Sequence, residues 1–136
     1  LSDIHWAPSS DKQQGTPVDA PALFTCDLTS VPRPFWALFP RDGDYAYAAV
    51  LHDYLYWIQD RKREDADRVF RYAMDDLRIK DWQAEILYKA VDLAGASAWE
   101  ANSELKKKGE RRLLKRLPSD PTVSWDDWKK NPQAFN

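Results

Sequence analysis

Residues Ala48 to Tyr56 read A-A-V-L-H-D-Y-L-Y. Around them Val50, Leu51, Tyr54, Leu55 and Ile58 recur at three- and four-residue spacing, the pattern of one apolar helix face. The stretch therefore predicts a helix from about Tyr45 to Ile58. The turn signal Arg41-Asp42-Gly43-Asp44 precedes it and a charged break, Gln59 to Arg63, ends it. A second helix is expected from about Glu64 to Leu77, with Ala66, Val69, Phe70, Ala73, Met74 and Leu77 on its buried face. A third is expected from Asp81, its N-cap, with Glu85 in the first turn and Trp82, Ile86, Leu87, Ala90, Val91 and Ala94 facing the core.

Beyond Gly95 the chain becomes more charged. Trp99 to Leu117 reads as a further helix whose Lys106-Lys107-Lys108 and Glu110-Arg111-Arg112 clusters face solvent, ended by Pro118 and Pro121. On the other side, residues 1–22 carry several Pro, Ser and Gln residues without sustained periodicity and read as an extended arm. Leu23 to Cys26 fits a short strand, and Pro32, Pro34 and Pro40 restrict the segment leading to the first helix to turns plus a helical turn. The tail, 118–136, is too poor in apolar residues to fold alone, though Trp125 and Trp128 can dock on the body. The expected architecture is a single mainly α domain over 23–117, built around an antiparallel helix pair.

Length and composition agree with one core: 136 residues, 43% hydrophobic and 31% charged. A net charge of −2 argues against a broad nucleic-acid surface. No window reaches the ~20 apolar residues that cross a bilayer. Cys26 is the single cysteine, so no internal disulfide can form. That fits a reducing compartment, such as a host cytoplasm, or a virion component. The chain begins at Leu1 rather than at methionine, which fits a fragment or a processed product and leaves a removed signal peptide open. Seven tryptophans and six tyrosines favour clefts and interfaces as well as cores, because each buries a large area yet needs a polar partner.

His52 is the residue most suited to chemistry. It lies mid-helix, and the i,i+4 spacing puts Tyr56 on its face while Asp53 points about 100° away. An imidazole is a base near neutral pH, and a carboxylate at its other nitrogen fixes the tautomer. The best supplier of that carboxylate is Asp67, in D-A-D-R-V-F on the next helix; Asp65 and Asp75 suit a solvated face. Asp53 and Asp27 are oxygen donors of the kind a hard cation such as calcium takes. Each reading has a structural counterpart: a buried His–Asp–Tyr network can simply join two helices, and Asp27 can cap a turn with Thr29 and Ser30. His5 lies in the arm, and Lys106 to Arg116 reads as a solvated helix face.

T-C-D-L-T-S-V-P, then A-A-V-L-H-D-Y-L-Y, then A-D-R-V-F-R-Y-A-M resemble in order and spacing the phage-associated domain-of-unknown-function family 1353. The resemblance covers roughly Phe24 to Gly95, departs from the family pattern by placing Cys26 between Thr25 and Asp27, and implies phage or prophage origin without an activity. H-D-Y-L-Y followed by A-D-R-V-F-R-Y-A-M is also similar, more weakly, to bacterial secreted phospholipases A2. That second resemblance implies that His52 activates water, Asp67 orients His52, Tyr56 holds Asp67, and Asp53 with Asp27 binds calcium. The disulfides and the glycine-rich calcium loop of that group are absent.

Two functions are therefore expected in parallel. One is a His–Asp hydrolase, calcium-assisted and acting on a lipid ester. The other is a non-enzymatic phage protein that binds a host or virion protein through aromatic surface, with Trp125 and Trp128 as anchors and His52, Asp67 and Tyr56 as a structural network.

Overall fold

The computed structural model describes residues 2–26, 43 and 45–135. Within them the chain forms strands β1 (Ile4–Trp6) and β2 (Val18–Ala20) and helices α1 (Tyr45–Ile58), α2 (Arg63–Asp76), α3 (Asp81–Lys107) and α4 (Trp125–Trp128). Asp27, Thr29, Ser30, the Pro32–Pro34–Pro40 turns and most of the Arg41–Asp44 turn signal lie outside the described residues.

Helix α1 is the centre of the packing. The apolar stripe suggests a half-buried helix, but burial takes in Tyr45, Ala48, Ala49, Leu51, His52, Asp53, Leu55, Tyr56 and Trp57. That is burial on most sides, the environment of a core helix rather than a surface one. Of the predicted stripe, Ile58 is exposed and Val50 and Tyr54 are only half-buried. Helices α2 and α3 and the hairpin all pack against α1, and α2 also packs on α3. The main core gathers Leu51, Leu55 and Tyr56 with Val69, Phe70 and Met74 of α2 and Leu87 and Val91 of α3. Removing a leucine from such a packed interior costs about 2–5 kcal/mol.

The N-terminal segment read as an arm contains an antiparallel hairpin in the register Ile4↔Ala20, His5↔Asp19, Trp6↔Val18. Its inward residues Trp6, Val18 and Ala20 are core residues, while His5 and Asp19 pair in solvent. The alternation is too short to stand out in sequence. Asp76 of α2 holds the connection: it accepts hydrogen bonds from Trp6 Nε1 at 3.0 Å, Ser9 Oγ at 2.7 Å and Gln13 Nε2 at 2.9 Å.

Helix ends depart from the sequence expectations in physical ways. The N-cap of α3 is Lys80, not Asp81, and it makes no side-chain capping bond; Asp81 instead pairs with Arg71 of α2. Trp82 and Ile86, expected in the core, are exposed, and the buried face is Ala84, Leu87, Ala90, Val91 and Gly95. Gly95 does not end the helix. The stop comes at Gly109, whose φ of 87° takes the left-handed conformation open to glycine, while Glu110 N–H donates to the Leu105 carbonyl. The expected helix over Trp99 to Leu117 is thus the second half of α3, and 108–117 is irregular.

That irregular stretch runs beside the chain before α1. Thr25 N–H donates to the Arg112 carbonyl at 2.8 Å, and Leu114 N–H to the Leu23 carbonyl at 3.0 Å. Lys115 N–H donates to the Ala134 carbonyl at 2.8 Å, joining the C-terminal tail. Leu114, Ala134 and Phe135 form a small second cluster with Leu23 and Trp128, so the tail does dock. Arg112 lies over the Trp57 ring at 4.8 Å, a cation–π contact that fastens this layer to α1.

Candidate functional site

The connection 59–62 returns the chain so that α2 lies along α1, and the facing residues meet at Asp67. His52 Nε2 lies 2.9 Å from Asp67 Oδ1, and the Tyr56 hydroxyl donates to the same oxygen at 2.7 Å. The i,i+4 pair on α1 therefore shares one carboxylate on α2, as the spacing predicts. A third donor lies outside the sequence expectation. Arg63 Nη1 donates to Asp67 Oδ2 at 2.7 Å and to the Asp92 carbonyl of α3 at 3.3 Å. The Arg63–Asp67 i,i+4 spacing on α2 is a readable signal for it.

The network is deep in the protein. His52 and Tyr56 have no solvent exposure and Asp67 has 1%. A buried carboxylate is tolerable only when charge and hydrogen bonds compensate it; here Arg63 supplies the charge and three donors occupy the two oxygens. The His52 ring packs on Tyr56 at 4.2 Å and Phe70 at 4.7 Å, which fixes its plane. Its other nitrogen, Nδ1, is buried and has no hydrogen-bond partner among the described residues. An ionised Asp67 at Nε2 makes that nitrogen the N–H donor, and a neutral ring then carries its lone pair at Nδ1.

Tyr56 also explains Gly95. A Cβ at Gly95 would overlap the Tyr56 hydroxyl oxygen and stand 3.1 Å from Arg63 Nη1. The helix is continuous there, so glycine serves close approach rather than a bend. Trp99, one turn on, meets the Tyr56 ring edge-on at 5.1 Å.

Burial, and then the hydrogen bond to Asp67, hold the Tyr56 phenol well above its ordinary range, so Tyr56 remains a donor. Tyr45 is raised by burial and then by the Asp53 carboxylate. Free phenols ionise near pH ~10, so above that pH the unfolded chain binds fewer protons than the folded one. The stability these two groups contribute is present below about pH 10 and lost as pH rises beyond it. Alkaline titration of the folded protein should therefore ionise fewer than its six tyrosines until it unfolds, with the denaturant midpoint falling over the same interval.

Asp53 is buried at 4% exposure, and its carboxylate acts on the Tyr45 phenol. Asp27, its expected partner for calcium, lies outside the described residues. Among the described residues no cluster of three His, Cys, Asp or Glu side chains can hold a metal ion, whereas calcium takes about six to eight oxygens. Cys26 is half-buried.

Fold and site define a small helical domain with a buried His–Asp couple between two helices. The chain belongs to the family described as "Protein of unknown function (DUF1353)", whose pattern matches residues 6–91. The match begins at Trp6, earlier than the Phe24 of the motif resemblance, and so takes in the hairpin strands' core residues. An uncharacterized protein of Sinorhizobium fredii (strain NBRC 101917 / NGR234), y4jT, is 33% identical over 89 residues, which is 64% of this chain. The chain spans about a quarter (26%) of that relative's length. No solved structure matches. No helix among the described residues is long and apolar enough to cross a membrane.

Proposed function

We propose that this mainly α domain, of phage or prophage type, uses its antiparallel α1–α2 pair to hold a His–Asp base for hydrolysis of a carboxylic ester, with a phospholipid as the substrate class. The observation that carries the reading is the polarity of His52: Nε2 is held by Asp67, while the buried Nδ1 has no partner among the described residues. A general base needs one nitrogen oriented and the other unpartnered; because His52 has no solvent exposure, the step requires a local opening that admits water and ester to Nδ1. In the step proposed, Nδ1 takes a proton from water as its oxygen adds to the ester carbonyl. The same proton then passes to the departing alkoxide, giving a fatty acid and an alcohol. Asp67 stabilises the transient imidazolium, and Tyr56 and Arg63 keep Asp67 in place.

The test is fatty-acid release from phospholipid vesicles with and without added calcium, which also measures whether the ion matters. His52→Gln is the informative variant, because the glutamine amide nitrogen reaches close to the Nε2 position and keeps the bond to Asp67 while removing Nδ1. Its expected loss is on the order of 10²–10⁴ in rate with a near-parental melting temperature. Equal activity in parent and variant would sink the assignment.

A second reading is favoured by the complete burial of His52 and near-complete burial of Asp67. In it the network only joins α1 to α2, and the protein binds a host or virion protein through aromatic surface. Trp82 at 55% and Trp125 at 39% exposure are then the available anchors; Trp128 is half-buried in the tail's own cluster. This reading expects no ester hydrolysis in the parent and a partner lost on Trp82→Ala or Trp125→Ala.

A further inference from the structure

Charge is distributed unevenly along this chain. From Leu105 onward there are nine basic and four acidic residues, whereas residues 1–104 hold eleven basic and eighteen acidic ones. Two of the nine basic residues, Lys106 and Lys107, lie in the last turn of α3. Four others, Lys108, Arg111, Lys129 and Lys130, line a groove with Glu110, Trp125 and Phe135. Among the described residues neither Lys108 nor Arg111 has an acidic partner within ion-pair distance. Lys129 and Lys130 pair only with Asp126 and Asp127, at 2.6 and 3.1 Å and largely in solvent, where such pairs contribute little and yield to a competing anion.

Three of the eight exposed large apolar side chains among the described residues lie in the same region. Leu117, Val123 and Trp125 are 51%, 36% and 39% exposed, within the stretch L-P-S-D-P-T-V-S-W that runs between Lys115-Arg116 and Lys129-Lys130. Exposed aliphatic and indole groups bracketed by cations suit a surface that offers phosphate charge outside and hydrocarbon beneath. A nucleic acid would use the cations and the indole but has no use for Leu117 and Val123.

We propose that this C-terminal face docks the protein on an anionic phospholipid bilayer, with Lys108, Arg111, Lys129 and Lys130 meeting headgroup phosphates and Trp125 and Val123 entering the interface. The proposal is independent of the catalytic reading, since it concerns binding and not turnover.

Co-sedimentation of the full chain with vesicles tests it, comparing pure phosphatidylcholine with phosphatidylcholine containing roughly one-third phosphatidylserine. Binding is expected to the anionic vesicles, weakening with added salt. Arg111→Glu with Lys130→Glu, both on the surface, should weaken it by at least tenfold, since each basic residue near such a leaflet contributes on the order of a factor of five. Val123→Ser should weaken it without changing the salt dependence. Absence of sedimentation, equal sedimentation with neutral vesicles, or parental binding by the charge-reversed variant would overturn the proposal. So would displacement of the protein from vesicles by a single-stranded oligonucleotide at lower concentration than the lipid, which would assign the groove to nucleic acid.

Discussion

Asp67→Ala should destabilise the protein by about 3–5 kcal/mol, lowering its melting temperature by on the order of 10 °C. The substitution removes the acceptor for His52 Nε2, the Tyr56 hydroxyl and Arg63 Nη1 together. Two of those donors have no access to water, and an orphaned buried donor costs its full desolvation. Arg63 is 19% exposed and recovers part of its loss by turning outward, so the lower half of the range is expected. Asp67→Asn should cost less, because its shape is kept and one oxygen still accepts. Urea unfolding of both variants checks the order. A cost under about 1 kcal/mol for Asp67→Ala would mean that the network does not tie α1 to α2.

Gly95→Ala should be destabilising by about 1–3 kcal/mol, the usual cost of overpacking a core. The sign matters more than the size. In an ordinary helix interior this substitution stabilises by about 1 kcal/mol, but here the added methyl meets the Tyr56 hydroxyl and the Arg63 guanidinium. The cost should shrink in a Tyr56→Phe background, which removes the overlapping oxygen. A double-mutant cycle therefore predicts coupling of at least about 1 kcal/mol, whereas strict additivity would show that the Tyr56 contact does not decide residue 95. Because this methyl pushes on the Tyr56–Asp67 bond, Gly95→Ala should also disturb the orientation of His52 from a different helix.

The site is legible in the sequence where it depends on local spacing. His52 and Tyr56 share a face because they are four residues apart, and a short connection brings Asp67 opposite them; these are consequences of helix geometry. Arg63 escapes a sequence reading although its spacing to Asp67 is the same, because it sits in what looks like a charged break between helices. Gly95 reads as a stop because a mid-helix glycine and a helix end look alike in sequence; only the position of Tyr56 separates them. The hairpin stays hidden because three-residue strands show too little alternation to register, and their burial is decided by long-range contacts of Trp6 with Tyr72 and Asp76. The central place of α1 is hidden for a related reason. Its buried faces include His52 and Asp53, which hydropathy assigns to solvent and which only pairing and packing with other elements admit to the interior.

Whether His52 is a base poised at Nδ1 is decided by its protonation pattern, read from the nitrogen chemical shifts of its ring in labelled protein near neutral pH. The expected result is a neutral imidazole whose proton resides on Nε2, facing Asp67, and whose Nδ1 carries a lone pair; the two resonances should exchange character on neither cooling nor salt addition. A ring protonated at both nitrogens would make His52 and Asp67 a structural ion pair, and a proton on Nδ1 alone would leave Nε2 without a hydrogen to give. Either result would contradict a base poised at Nδ1.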